Sequence, residues 1–185
     1  MARSHLILGG ARSGKSRFAV ESQPRQARVA FIATAQAGDG DMAARIARHR
    51  AERPRHWLTI EEPFDVLARL GDLAGRAEAA IVDCLTLWVA NRLLRGDDDE
   101  AILRETEALA GAVKRAPLSV TLISNEVGDG VHPETAAGRR FRDLLGLVNQ
   151  RLAAACDAVT LMVAGVPLVI KSTPEGSRDH APQAP

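Results

Sequence analysis

The sequence predicts an α/β chain built on a mainly parallel, doubly wound sheet that ends in a C-terminal antiparallel strand. Three observations carry that expectation. Short apolar runs alternate with longer amphipathic stretches along the chain, the pattern of strands joined by crossover helices. The first run leads directly into a glycine-rich turn, "GGARSGKS". The last run, "PLVIK" at 167–171, follows Gly165 too closely for a crossover helix, so it pairs antiparallel with the run before it.

The parallel strands are expected at 5–8 ("HLIL"), 28–34 ("RVAFIAT"), 79–84 ("AAIVDC"), 119–124 ("SVTLIS") and 158–163 ("AVTLMV"). Helices are expected near 15–22, 41–53, 64–75, 85–95, 99–115 and 136–155, where apolar residues recur at helical spacing. With 185 residues and no sharp shift in composition, residues 1–171 are expected to form one domain. The stretch from Ser172, "STPEGSRDHAPQAP", has no apolar period and reads as a flexible tail, 172–185.

Composition narrows the function. Lys plus Arg number 24 against 23 Asp plus Glu, so no overall field favours nucleic acid or an anionic membrane. No apolar run approaches the roughly 20 residues that a bilayer helix needs, which favours a cytoplasmic protein. Cys84 and Cys156 are too few and too distant for a disulfide framework and read as packing thiols.

Gly9, Gly14, Lys15 and Ser16 satisfy G-x-x-x-x-G-K-[ST], a Walker A loop, which makes the expected sheet P-loop NTPase-like. The glycines let backbone N–H groups turn towards phosphate oxygens, and the following helix presents its positive end to the same anion. Lys15 would reach the β and γ phosphates, and Ser16 would ligate Mg2+. In such sheets ligands sit beyond the carboxyl ends of the strands, which here are Thr34, Asp83 and Asn125. Asp83 suits a Walker B carboxylate that holds the metal, or a cap for the helix that starts at Leu85.

The segment "DMAARIARHRAERPRH", 41–56, places Arg45, His49 and Arg53 at four-residue spacing on one helix face, which is expected to follow a strand beside the P-loop. That face suits polyphosphate, and its cations would keep His49 neutral and nucleophilic; a solvated basic face fits the same spacing. Beyond "SNEVG", a loop with two glycines and a proline suits an acceptor substrate. Arg139, Arg140 and Arg142 after it could neutralise phosphate or merely line a surface helix.

Taken in order, "GGARSGKSRFAVE", "FIATAQ", "DMAARIARHRAERPRHWLTIEEP", "IVDCLTLWVANRLL", "LISNEVGDGVHPE" and "GRRFRDLLGLVNQRLAAACDAVTLMVAGVPLVIK" resemble the bifunctional adenosylcobinamide kinase / adenosylcobinamide-phosphate guanylyltransferase family of cobalamin synthesis. The resemblance implies phosphorylation of adenosylcobinamide with GTP or ATP. It then implies transfer of GMP from GTP onto adenosylcobinamide phosphate, through a GMP-histidine intermediate, giving adenosyl-GDP-cobinamide. The histidine would be His49, with His56 as the alternative, and Lys15 would join it in catalysis. Nucleotide would be held by Gly9, Gly10, Ala11, Arg12, Ser13, Gly14, Lys15 and Ser16, by Thr34, Ala35 and Gln36, and by Arg50, Ala51, Glu52 and Arg53. Glu61, or its neighbour Glu62, and Asp83 would complete the site, with Ser16 and Asp83 on Mg2+. The resemblance also implies a homotrimer. From the residues alone, a simple P-loop small-molecule kinase and a nucleotide-dependent binding switch remain open, although the N-K-x-D guanine signature of switch GTPases is missing.

Overall fold

The computed structural model describes residues 4–36, residue 50 and residues 53–172. Seven strands form one sheet: β1 (Ser4–Gly9), β2 (Val29–Ala33), β3 (Leu58–Glu61), β4 (Ala79–Asp83), β5 (Ser119–Ile123), β6 (Ala158–Val163) and β7 (Val166–Lys171). Their order across the sheet is β3-β2-β4-β5-β1-β6-β7. All neighbouring pairs are parallel except β6 with β7. The described helices are α1 (Lys15–Glu21), α2 (Val66–Gly71), α3 (Leu85–Arg95), α4 (Asp99–Arg115) and α5 (Ala136–Ala155).

The central strands are buried on both faces, which is why they read as continuous apolar runs. Successive residues point to opposite sides. Leu6, Ile32, Val82 and Leu122 pack with Val66, Trp88, Leu109 and Leu145 from α2 to α5, whereas Ile7, Phe31, Ile81 and Ile123 pack with Ala19 of α1, Trp57 and Met162. Trp88 is fully buried, and its indole N–H donates to the Phe64 carbonyl at 2.7 Å. Truncating such a side chain to alanine costs about 3–5 kcal/mol, so Trp88 is a principal anchor of that layer.

The ends of the longer helices follow local chemistry. Asp98 Oδ1 accepts from the Ala101 N–H at 2.6 Å to cap α4, and Thr135 accepts from the Gly138 N–H to cap α5. The tight α3–α4 connection is clipped by Arg92. This buried guanidinium donates to Asp97 at 2.5 Å and to Glu105, while Arg95 also donates to Asp97 at 2.7 Å.

Two features of the sheet differ from the sequence expectation. Strand β3 was not anticipated: "LTIE" is four residues long and half polar, and it pairs only with β2 at the sheet edge, so no apolar run announces it. In addition, β2 does not lie beside β1, because β4 and β5 stand between them. The expected 41–53 helix, apart from Arg50 and Arg53, and the tail beyond Ser172 fall outside the described residues.

Candidate active site

Strand β1 delivers the glycine-rich loop at its carboxyl end, and Gly9 makes the first turn. Its φ is +149°, and a Cβ there would lie 2.5 Å from the Met162 carbonyl and 2.7 Å from Ser13 Oγ, so no side chain fits. Lys15, the first residue of α1, turns back into the loop. Its ammonium donates to the Gly9 and Gly10 carbonyls at 2.9 and 2.7 Å, and only 8% of the residue is exposed. A buried ammonium held by neutral carbonyls is well placed to exchange them for phosphate oxygens, since charge-assisted bonds are the stronger ones.

Ser16 faces the end of β4. Its hydroxyl donates to Asp83 Oδ2 at 2.7 Å. Asp83 does not cap α3: Cys84 occupies that position, with no side-chain cap. The Cys84 thiol, pushed up to about 11 first by burial and then by Asp83, is unsuited to act as a thiolate. The Thr34 hydroxyl bridges the Cys84 carbonyl and N–H at 2.7 and 2.8 Å, and the Thr34 carbonyl accepts from Asn91. Thr34 thus locks the ends of β2 and β4 together, while Ala35 is half-buried and Gln36 exposed.

A cleft of about 650 Å³ opens beside the loop, lined among others by Arg12, Ser13, Ser16, Arg17, Phe31 and Arg53. The Arg53 guanidinium lies 3.6 Å above the centre of the Phe31 ring. Burial holds its pKa below the ordinary arginine value, helped by Arg50 and opposed by Asp83 and Glu61. Arg50 is paired with Glu61 at 3.6 Å. Glu62 is turned away from that pair. Burial pushes its carboxyl up, but the Asp65 and Phe64 N–H groups and Arg69 outweigh this and hold it below the usual carboxylate value. Glu61 is therefore the carboxylate that pairs with Arg50, and Glu62 organises the entry to α2.

On the other side of the loop, the Glu126 N–H donates to the Gly9 carbonyl at 3.1 Å and the Asn125 N–H donates to Thr86 Oγ1 at 2.7 Å. This fixes the start of the 126–134 loop against the P-loop. The arginines beyond it are engaged elsewhere: Arg139 with the Pro133 and Glu134 carbonyls, Arg140 with Asp99, and Arg142 with His132. His49, Ala51 and Glu52 lie outside the described residues, and His56 is exposed.

The donor set suits a hard divalent cation that takes most of its ligands from nucleotide and water. Ser16 and Asp83 supply two converging oxygens, and among the described residues no group of three or more His, Cys, Asp or Glu forms a dedicated cage. No described helix is long and apolar enough to cross a membrane.

Sequence reasoning missed Phe31, Thr86 and the β6–β7 turn as parts of the site. Phe31 read as one more core residue of a strand, and only the fold shows the turn packed on the P-loop.

The chain is 48% identical over 170 residues to the bifunctional adenosylcobalamin biosynthesis protein CobP of Pseudomonas aeruginosa, covering 91% of this chain and 98% of that one. It is 44% identical to the CobU protein of the same description from Salmonella typhimurium and 41% identical to that of Escherichia coli K12, each over 90% of this chain and 98% of the relative. A solved protein of Pyrococcus horikoshii OT3 shares the fold, with a TM-score of 0.57 at 9% identity over 94% of this chain and 88% of its own. Residues 5–170, which contain the P-loop, Asp83 and the arginine cleft, match the cobinamide kinase / cobinamide phosphate guanyltransferase family, and the chain belongs to that family.

Proposed function

We propose that both reactions of the family run on nucleotide held by this one P-loop. The family makes the chain a bifunctional kinase and guanylyltransferase of adenosylcobalamin biosynthesis. In the first reaction the adenosylcobinamide hydroxyl attacks the γ-phosphorus of GTP or ATP, its bond to the β-phosphate oxygen breaks, and the nucleoside diphosphate leaves. Lys15 neutralises the charge that develops on the β and γ oxygens. Ser16 and Asp83 would hold Mg2+, which would supply positive charge to neutralise the phosphate oxygens.

In the second reaction a neutral His49 imidazole attacks the α-phosphorus of GTP and expels pyrophosphate. An oxygen of adenosylcobinamide phosphate then attacks the same phosphorus, the P–N bond breaks, and adenosyl-GDP-cobinamide forms. Arg53 on Phe31, with the Arg50–Glu61 pair nearby, would contact the nucleotide bound at the P-loop. The observation that carries the reading is the Ser16–Asp83 contact at the mouth of a basic cleft that contains Arg53. The two free thiols fit a cytoplasmic setting. The homotrimer would bury apolar surface, and the exposed Val166, Leu168, Val169 and Ile170 of β7 supply it.

The experiment is incubation with GTP labelled at the α-phosphate, followed by denaturation. Acid-labile, alkali-stable label on the protein that disappears in His49→Ala, with kinase turnover retained, is the expected result. Phosphoryl transfer to cobinamide with no label on the wild-type protein would leave a plain kinase.

A further inference from the structure

We propose that the β6–β7 turn is a positioning element for nucleotide binding: the Gly165 amide fixes the Ser13–Gly14 peptide so that its N–H faces the phosphate. The proposal rests on the P-loop as the phosphate site. The turn is a two-residue hairpin connection, with Val163 paired to Val166 and with positive φ at both Ala164 (50°) and Gly165 (85°), the mark of a type I′ turn. The Gly165 N–H leaves the hairpin and donates to the Ser13 carbonyl at 3.0 Å. The contact is close enough that a Cβ built on Gly14 would lie 3.4 Å from Gly165 Cα. Ala164 and Gly165 also line the same cleft as Arg12, Ser13 and Ser16.

Peptide geometry supplies the consequence. In a trans peptide the carbonyl and the N–H point in opposite directions. Once the Ser13 carbonyl is held outward by Gly165, the Gly14 N–H of the same plane is held on the opposite side, towards the concavity of the loop. The first backbone N–H groups of α1 have no partner within the helix and are left for the same anion. The hairpin thus pre-pays the orientation that a loose loop would reach only on binding anion.

The two hairpin turn types differ chiefly in the direction of their central peptide, here Ala164–Gly165, and this makes the proposal testable without unfolding the hairpin. Ala164→Asn gives Asn-Gly, the strongest type I′ pair, and keeps the amide on Ser13. The double variant Ala164→Gly, Gly165→Ser favours type II′ and turns that amide away. Replacing the residue-165 amide by an ester removes the donor whatever the turn type.

Binding of GTP with Mg2+ is measured by calorimetry, alongside melting temperature and the KM for each substrate. The expected result is about tenfold weaker GTP binding for the ester than for Ala164→Asn, in which the amide stays on Ser13, the scale of one hydrogen bond. The double variant weakens binding in the same direction. Melting temperature falls by no more than the loss of one hydrogen bond causes and the cobinamide KM stays unchanged, whereas a merely structural role would move both substrates together. Wild-type affinity in the ester-substituted chain overturns the proposal while leaving the P-loop site standing. Failure of the wild-type protein to bind GTP overturns both.

Discussion

Ser16 and Asp83, 67 residues apart in sequence, are joined by a hydrogen bond of 2.7 Å between hydroxyl and carboxylate. The contact ties the helix that follows the P-loop to the end of β4, and it spans β5, which lies between β4 and β1 in the sheet. Under the proposed function a carboxylate in that position would act through a bound cation and need not touch the phosphates. Asp83→Asn keeps the shape and an acceptor for Ser16 but removes the charge. Its expected effect is at least about a tenfold rise in the Mg2+ concentration for half-maximal kinase rate, with thermal stability little changed, since a charged ligand contributes more than a neutral one. An unaltered Mg2+ requirement would place Asp83 outside the metal set.

Arg53 depends on the flatness of its guanidinium as much as on its charge. It lies 3.6 Å over the Phe31 ring, and lysine carries the charge on a compact ammonium that cannot stack in the same way. Cation–π contacts contribute about 0.5–2 kcal/mol, which corresponds to roughly two- to thirtyfold. Steady-state kinetics of Arg53→Lys should therefore show the KM for GTP raised within that range. Equal KM values would mean that the ring supports Arg53 without orienting it for nucleotide.

Acid stability should carry the signature of Asp97. The hydrogen bond from Arg95, followed by Arg92 and opposed by burial, lowers its pKa from the ordinary 3.8 to about 2. A depressed carboxylate pKa adds stability that is complete above the unfolded-state value and disappears as pH falls through the folded one. Denaturant unfolding followed between pH 4 and pH 2 should show stability falling across that window. Asp97→Asn should remove this part of the slope while lowering stability at neutral pH. Parallel profiles for the two proteins would show that the Arg92–Asp97–Arg95 cluster does not set the acid limit.

Much of this architecture was legible in the chain. Helices 85–95, 99–115 and 136–155 follow directly from apolar period, because long amphipathic segments leave little choice, and the structure adds the Asp98 and Thr135 caps to the last two. The antiparallel β7 follows from the short link alone. Strand β3 escaped because four half-polar residues at a sheet edge gain their structure from β2 and not from their own pattern. The P-loop was plain from four residues, but the separation of Glu61 from Glu62 was not. Adjacent strand-end residues point to opposite sides, and only the fold shows which side holds Arg50 and which holds Arg69. The docking of Gly165 on Ser13 is a contact between the two ends of the fold, and no local pattern encodes it.

The place of β1 also bears on how the protein is made. The strand that carries the P-loop leaves the ribosome well before both of its neighbours, β5 and β6, which lie more than a hundred residues further along the chain. Until residues 119–123 and 158–163 have been synthesised, β1 has two unpaired edges, and the turn that rests on Ser13 does not yet exist. Nucleotide bound at the P-loop would stabilise the finished protein by linkage but not such a nascent chain, and pairing across so long a separation is slow. Cells that over-produce this chain should lose it mainly as incomplete or newly released polypeptide, a stage at which supplying its substrates offers no protection.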